Sequence, residues 1–199
     1  QGVSSAASDV YKRQNKKDGG ESMNYISYYE SPLGELTLAS DGTAITGIWF
    51  DGQKYFGAEL EAKPNKKELP VFKEVKKWLD VYFAGKDPGK LPPLHFSDTP
   101  FREKVWKILL TIPYGKTMTY GEIAKMIAEA GGIKKMSAQA VGGAVGHNPI
   151  SILCPCHRVV GTNGSLTGYA GGMDKKVALL TLEKADMKSF FVPKKGTAL

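Results

Sequence analysis

The stretch TYGEIAKMIAEAGGIKKMSAQAVGGAV, residues 119–145, contains two short amphipathic segments separated by a glycine pair. Thr119 can cap the first segment, and Glu122 stands at the capping-box position three residues later. Gly131-Gly132 can end that helix, and Ser137 can cap the next one. A helix, a short turn and a second helix form the helix-turn-helix pattern, although helical hairpins that bind no DNA are commoner. The stretch therefore predicts a helical hairpin, with DNA binding as one of two interpretations.

The second helix of this hairpin is unusual because it contains Gly142-Gly143. Each glycine costs a helix roughly 1 kcal/mol relative to alanine. Small residues at these positions allow another surface to approach closely. That surface is either a neighbouring part of the chain, such as the segment around Cys156, or a narrow nucleic-acid groove.

Two further helices flank the hairpin. Phe101, Val105, Trp106, Leu109 and Ile112 fall at helical spacing before Pro113. A last helix is expected after the glycine-rich loop at 161–172, and it contains the acid Glu183. A short apolar strand is expected between Asn148 and Cys156. The second half of the chain is therefore predicted to be mostly helical.

The first half is predicted to be antiparallel β-structure followed by one helix. Three β-prone runs, at 25–29, 35–39 and 45–50, are separated by turn residues. A helix then spans the apolar positions from Phe72 to Phe83, and the proline-rich residues 86–97 indicate a linker. The expected fold class is α+β, with a small α/β N-terminal domain and a helical C-terminal domain.

The expected boundaries place a non-native or disordered leader at 1–22, one domain at 23–95, the second at 96–187 and a tail at 188–199. The leader is polar and resembles sequencing-adaptor read-through or a cloning remnant, so Met23 is the expected native start.

The excess positive charge lies in the second half. The chain carries 27 Lys and Arg against 20 Asp and Glu. Residues 98–199 hold 14 basic and 7 acidic side chains, whereas residues 1–97 hold 13 of each. A basic half suits a polyanionic partner such as DNA or RNA, although a solvated basic face is common in soluble proteins. No apolar run is long enough for a transmembrane helix, so no membrane partner is expected.

The segment Cys154-Pro155-Cys156-His157-Arg158-Val159 is the strongest candidate for chemistry. A thiolate is a nucleophile, and an adjacent base makes it available at neutral pH. The alternative is a buried cysteine that acts as a small hydrophobe. Two cysteines one residue apart are poorly placed for a disulfide, so we expect reduced thiols and a cytoplasmic protein.

Several motifs in fixed order carry a resemblance to a known family. These are the Pro-Cys-His-Arg core with its upstream Asn148-Pro149, the Thr119-Tyr120-Gly121-Glu122 segment, the Ala140–Ala144 run and the Tyr169-Ala170-Gly171-Gly172 loop. Together they resemble the methylated-DNA–protein-cysteine methyltransferases, or O6-alkylguanine-DNA alkyltransferases, over residues 24 to about 187. The resemblance implies a ribonuclease-H-like N-terminal domain and a winged helix-turn-helix C-terminal domain.

The resemblance also implies an activity and a role for each residue. The activity is single-turnover DNA repair by transfer of an alkyl group from O6-alkylguanine, and conceivably O4-alkylthymine, after minor-groove binding and base flipping. Cys156 would accept the alkyl group, with His157 as its base through a water, Glu183 orienting the imidazole and Asn148 holding the turn. The family's substrate and DNA contacts map onto a further set of positions: Tyr120, Gln139, Val159, Tyr169, Ala170 and Gly171.

The partner implied is double-stranded DNA that contains alkylated guanine, bound by a monomer without a cofactor. No metal site is expected, because Cys154, Cys156 and His157 crowd too closely for zinc and the other histidines lack ligand spacing. Two positions depart from the family pattern. Gln139 replaces an arginine that fills the gap left by the flipped base, and Cys154 replaces an aliphatic residue and is expected to be a core thiol.

Two alternatives remain. One is an alkyltransferase-like protein that senses lesions without reacting, but that group has tryptophan at the position of Cys156. The other is a Cys-His-Glu hydrolase acting on peptides or amides, for which a basic helix-turn-helix has no purpose.

Overall fold

A computed structural model describes residues 25–57, 60 and 64–193 of the chain. The predicted leader and the last six residues of the predicted tail lie outside these residues. Within the described part, no helix is both long and apolar enough to cross a membrane.

Among its described residues, the N-terminal half is a four-stranded sheet with one α-helix. The strands are β1 (Tyr25–Ser31), β2 (Gly34–Ser40), β3 (Ile45–Phe50) and β4 (Asn65–Lys66), in the order β3-β2-β1-β4. The three long strands pair antiparallel, as their alternation and turn residues predict, and β4 adds a short parallel pair at the edge. Helix α1 (Pro70–Phe83) begins with a proline at its first turn, where the missing N–H costs no hydrogen bond.

Where the structure describes it, the C-terminal half contains four α-helices, two short 3-10 helices and a small parallel β-pair. The helices are α2 (Pro100–Leu109), α3 (Tyr120–Ala130), α4 (Ala138–Gly146) and α5 (Met173–Leu182). Strands β5 (Met118–Thr119) and β6 (Val159–Val160) form the pair. The α+β fold class with a helical second half is therefore confirmed.

The predicted caps of the helical hairpin are present. The Thr119 side chain accepts the Glu122 N–H, and the Glu122 carboxylate accepts the Thr119 N–H, which completes a capping box at α3. The Ser137 hydroxyl accepts the Ala140 N–H at the start of α4. These caps fix where each helix begins and therefore which faces of α3 and α4 are exposed.

The two halves share one continuous apolar core. Phe50 and Phe72 from the first half lie in the same cluster of buried residues as Trp106, Val141 and Cys156 from the second. The sheet also extends across the boundary, because the Ile48 N–H donates to Pro149 O at 2.8 Å and the Ser151 N–H donates to Ile48 O at 2.9 Å. The edge strand β3 therefore lies directly beside the segment that leads to Cys156.

One expectation for local structure is corrected. The segment between Asn148 and Cys156 is a sequence of turns, with one isolated bridge at Ile150, and not a strand. Tertiary hydrogen bonds outweigh the local sequence preference there. The predicted linker at 86–97 is irregular apart from an isolated bridge at Leu94, and it lies beside the sheet, since the Ile45 N–H donates to Pro93 O and the His95 N–H donates to Ile45 O.

Candidate active site

The turn before Cys156 is held by the side chain of Asn148. Its amide nitrogen donates to the carbonyl oxygens of Ile150 and Cys154, at 3.2 and 2.8 Å, and its oxygen accepts the Ile150 N–H. The same nitrogen lies 3.1 Å from the Sγ atom of Cys156. Ile152 adopts a φ of 69°, which is rare for a β-branched residue and is sustained by these bonds. Asn148 thus both shapes the turn and contacts the thiol.

Cys156 begins a short 3-10 helix, Cys156–Arg158, and its side chain is almost fully buried, at 4% exposure. Burial raises the pKa of its thiol, and the Asn148 amide and the Lys176 charge partly oppose this effect. The thiol is therefore mainly protonated at neutral pH and requires a base at the moment of reaction. The 3-10 turn supplies the bend that lets two adjacent residues contribute to one site.

The next residue, His157, is fully buried and is bound to Glu183. Its Nε2 atom lies 2.7 Å from Glu183 Oε1. Because an ionised carboxylate only accepts hydrogen bonds, Nε2 carries the ring proton and donates a hydrogen bond to Oε1. Burial lowers the pKa of His157, although Glu183 acts in the opposite direction. Its Nδ1 atom is buried and has no hydrogen-bond partner among the described residues. A neutral imidazole with an unused Nδ1 lone pair can accept a proton.

Glu183 lies just past the end of α5 and is surrounded by donors. Arg158 binds it with two nitrogens, Nε to Oε2 at 2.8 Å and Nη2 to Oε1 at 2.9 Å. The Gly115 N–H donates to Oε2 at 3.0 Å, and the Tyr82 hydroxyl donates to Oε1 at 2.7 Å. Burial alone would raise the pKa of Glu183, but the hydrogen bonds from His157 and Arg158 and the charge of Arg158 hold that pKa well below its usual range. Glu183 is thus ionised at neutral pH and held in one orientation.

The glycine-rich loop covers the site beside the histidine. The Tyr169 ring lies edge-on to His157, with centroids 6.4 Å apart. A side chain at Gly171 would come within 2.7 Å of the Tyr169 ring and 3.2 Å of Phe50, so only glycine fits there. Ala170 O accepts the Lys54 N–H from the first domain, and Val159, in β6, is fully buried. Tyr169 thus lies beside His157, and Gly171 packs against Tyr169.

Tyr120, at the start of α3, faces the same loop. Its hydroxyl donates to Thr167 O at 3.1 Å and lies 3.4 Å from Gly168 O. Burial, followed by the nearby Cys156, raises the pKa of Tyr120 to about 12. The phenol therefore keeps its proton at neutral pH and gives it up only to a strongly basic acceptor.

Gln139 lies apart from this cluster, on the exposed first turn of α4. A groove of about 980 Å³ runs between α3 and α4, and Lys125, Lys134 and Lys135 are among the residues that line it together with Gln139. Gln139 is thus placed on a basic, accessible surface.

Three participants were not identified from the sequence, namely Tyr82, Arg158 and Lys176. Lys176 is fully buried in α5, and its Nζ donates to Val159 O at 2.6 Å and Thr167 O at 2.7 Å. Burial lowers the pKa of Lys176 to about 8. The adjacency of Arg158 to His157 is the only sequence signal available for any of the three.

Cys154 is a fully buried thiol, and burial raises its pKa well above the usual value. Its Sγ lies 3.8 Å from Trp106 O. Within the described residues, no group of three or more His, Cys, Asp or Glu side chains could hold a metal ion.

Comparison with known proteins identifies the family. Residues 24–89 match the ribonuclease-like domain of 6-O-methylguanine DNA methyltransferase, and residues 100–185 match its DNA-binding domain. A methylated-DNA–protein-cysteine methyltransferase of Mycobacterium tuberculosis is 45% identical over 156 residues, which cover 78% of this chain and 90% of the relative. That of Haemophilus influenzae is 42% identical over 166 residues, covering 80% and 86% respectively.

A solved structure shares the fold. The crystal structure of M. tuberculosis OGT in complex with DNA aligns with a TM-score of 0.70 at 40% identity, over 83% of this chain and 98% of that one. Both halves of the chain are thus matched together, in sequence and in fold. The chain belongs to the methylated-DNA–protein-cysteine methyltransferase family.

Proposed function

We propose that this chain repairs DNA by moving the alkyl group of O6-alkylguanine irreversibly onto the Sγ atom of Cys156. As a member of its family the chain is a methyltransferase with a protein cysteine as acceptor. The observation that carries the choice of Cys156 is the chain of contacts from its thiol to Asn148 and from the adjacent His157 to Glu183. Cys154 has no such partners among the described residues.

The chemistry follows from the protonation states of the site. His157 Nδ1 accepts the thiol proton, directly or through a water, and Glu183 stabilises the imidazolium. The thiolate attacks the alkyl carbon, a C–S bond forms, and the C–O bond breaks with its electron pair moving to the guanine. Tyr120 donates a proton to the leaving guanine, and the proton that Cys156 gave to His157 then returns through solvent to the Tyr120 phenolate, so that both side chains end neutral.

Each molecule reacts once, because the product is a thioether that water does not cleave. Neither an external acceptor nor a redox partner is needed for this balance. The thiol must stay reduced, so we place the protein in a reducing compartment such as the cytoplasm.

DNA binding is assigned to α4 and the basic groove beside it. The relative crystallised with DNA supports this partner. The small residues of α4 suit approach to the minor groove. The O6 atom of guanine is unreachable inside a duplex, so the target base must leave the stack and enter the pocket walled by Tyr169, Ala170, Gly171 and Val159. Gln139 then lies where it can hydrogen-bond the orphaned base.

The mass of the intact protein, measured after incubation with one equivalent of duplex DNA containing O6-methylguanine, tests the proposal. We expect a gain of one methyl group per protein molecule, mapped to the peptide that contains Cys156. Cys156→Ala should abolish the gain, and Cys154→Ala should retain it. Transfer to Cys154, or hydrolysis without protein alkylation, would contradict the assignment, and binding without transfer would indicate a lesion sensor. A parallel duplex with O4-methylthymine decides whether that base is a second substrate.

A further inference from the structure

Tyr82 is a residue of the N-terminal domain that reaches the centre of the candidate active site. It lies on α1 and is fully buried. Its hydroxyl donates to Glu183 Oε1 at 2.7 Å and also lies 3.4 Å from His157 Nε2. The proposed chemistry gives this hydroxyl no role.

The contact is specific because Tyr82 and His157 bind the same oxygen. Glu183 Oε1 accepts from the Tyr82 hydroxyl and from His157 Nε2, both at 2.7 Å. Because the two donors share one oxygen, the position of the Tyr82 hydroxyl restricts the position of His157 Nε2. The orientation of the imidazole is thereby restricted as well. Removal of one donor leaves the carboxylate freer to rotate and makes it a stronger acceptor for the other donor.

The Tyr82 ring is itself held rigidly. It stacks on Trp78 with centroids 5.5 Å apart, and it meets Phe83 and Tyr114 edge-on at 5.4 and 6.0 Å. The hydroxyl oxygen of so constrained a ring has one position, from which its hydrogen can reach Glu183 Oε1. The precision of its bond to Glu183 is therefore set by the packing of α1.

We propose that Tyr82 is a positioning residue for alkyl transfer, which fixes the Glu183 carboxylate against His157 and makes the N-terminal domain part of the proton-accepting machinery. The inference rests on the proposed function, in which His157 is the base. It assigns to the first domain a role in the chemistry beyond supporting the second domain.

The expected signature is a change in the pH dependence of His157. Without the Tyr82 hydroxyl, Glu183 accepts more strongly from His157 and favours the imidazolium, so the pKa of His157 rises. The other ionisable groups that act on this pair stay in place: Arg158 on the 3-10 turn, Tyr114 after α2, Lys176 on α5 and Tyr169 in the glycine-rich loop, with Cys156 adjoining His157 in sequence.

The test compares wild type with Tyr82→Phe, which keeps the ring and its stacking. Single-turnover transfer from O6-methylguanine DNA is measured across pH. Because transfer needs neutral His157, its rate rises with pH through the pKa of that group. We expect the midpoint in Tyr82→Phe to move up by about half a unit or more, which slows transfer roughly three- to tenfold on the acid side. The difference in transfer rate between wild type and Tyr82→Phe should become smaller at higher pH, where His157 is neutral in both proteins.

A matched control is Tyr29→Phe, because the Tyr29 hydroxyl makes the same kind of bond, at 2.8 Å, to Asp80 on the outer face of α1. This variant should keep the wild-type midpoint. A site-specific fluorotyrosine at position 82 is a stronger hydrogen-bond donor and should move the midpoint of the pH profile down. This second variant keeps the test possible if Tyr82→Phe folds poorly. An unchanged midpoint in both Tyr82 variants, or a rate lowered equally at every pH, would overturn the inference.

NMR titration of the three histidines separates this inference from the proposed function. His95 and His147 serve as internal references, and the pKa of His157 is read directly without DNA. If the wild-type protein transfers no alkyl group, the proposed function fails. The change in the pKa of His157 in Tyr82→Phe still decides whether Tyr82 positions Glu183 against His157. The absence of that shift would refute the inference even in an active protein.

Discussion

At the scale of single residues, Lys176 shows how burial and charge are balanced in this site. A buried ammonium loses hydration, and its two carbonyl contacts only partly replace it, so its pKa falls to about 8. Its positive charge lowers the pKa of the Cys156 thiol, against the effect of burial. Burial of the Lys176 ammonium therefore costs stability, but its charge stabilises the thiolate form of Cys156.

Lys176→Met should therefore slow alkyl transfer, by roughly tenfold for each unit by which the thiol pKa rises. Stability should change with pH as well. Because the folded pKa of Lys176 lies below that of an unfolded lysine, the unfolded chain binds more protons between about pH 8 and 10.5, and the wild-type contribution to stability rises across that window. Denaturant unfolding at pH 8 and 9.5 should show this gain in wild type and not in Lys176→Met.

Lys175→Met provides the matched control, since it removes the same charge from the neighbouring position of α5. The Lys175 ammonium lies over the Phe50 ring, 5.3 Å from its centroid, whereas the Lys176 ammonium is turned into the core. It should keep both the transfer rate and the pH-dependent gain. Equal effects of the two variants would mean that Lys176 acts only through net charge.

The residues of the site differ in how far the sequence could predict them. The Cys156-His157 pair was apparent from adjacency, and the residues around it from the family resemblance; their catalytic roles stay predictions. Lys176 could not be found in this way, because a lysine in an amphipathic helix is typical of a solvated face. Tyr82 is separated from Glu183 by 101 positions, and its ring fits an apolar stripe, so no local pattern indicates that its hydroxyl has a partner.

At the scale of elements, capping residues and apolar periodicity predicted the structure, whereas a short continuous apolar run did not. The caps at Thr119 and Ser137 depend on bonds within four residues, and both are present. The apolar run 150–153 was wrongly predicted as a strand. Three side-chain bonds of Asn148 and the edge of β3 draw that backbone into turns, and a strand propensity of this size is easily outweighed by such contacts.

Helix α4 gives an element-scale prediction. Gly143 is exposed, and a Cβ built there meets nothing within 4 Å. Gly143→Ala should therefore raise the free energy of unfolding by about 0.5–1 kcal/mol, because alanine loses less backbone entropy in a helix. The same methyl group should weaken duplex binding if α4 enters a narrow groove. Thermal unfolding and DNA titration together test this pair of opposite effects.

The reaction with the free base O6-benzylguanine, which requires no groove, is the control for Gly143→Ala. It should proceed at the wild-type rate if the pocket accepts that base. If Gly143→Ala is more stable and binds DNA as tightly as wild type, the glycine pair is needed for packing within the protein and not for entry into the DNA groove.

At the scale of the whole molecule, the two domains are joined through the site. Strand β3 borders the turn before Cys156, Phe50 lies against Gly171, and the backbone of Lys54 binds Ala170. The existence of two domains followed from composition and the resemblance. Their contacts did not, since the pairing of β3 with residues 149–151 spans about a hundred positions and has no local signature.

The uneven charge of the molecule leads to the last prediction. All seven net positive charges lie in residues 98–199, and three lysines line the groove beside α4. If these lysines neutralise phosphates, the logarithm of DNA affinity should fall with the logarithm of salt concentration, by about 0.9 for each phosphate contact. Lys134→Gln with Lys135→Gln should reduce that slope by nearly 2 and should leave the reaction with free O6-benzylguanine unchanged. Lys73→Gln with Lys77→Gln removes the same charge from the exposed face of α1 and should preserve the slope. If both pairs reduced the slope equally, the attraction would come from net charge alone and the groove would not be the binding surface.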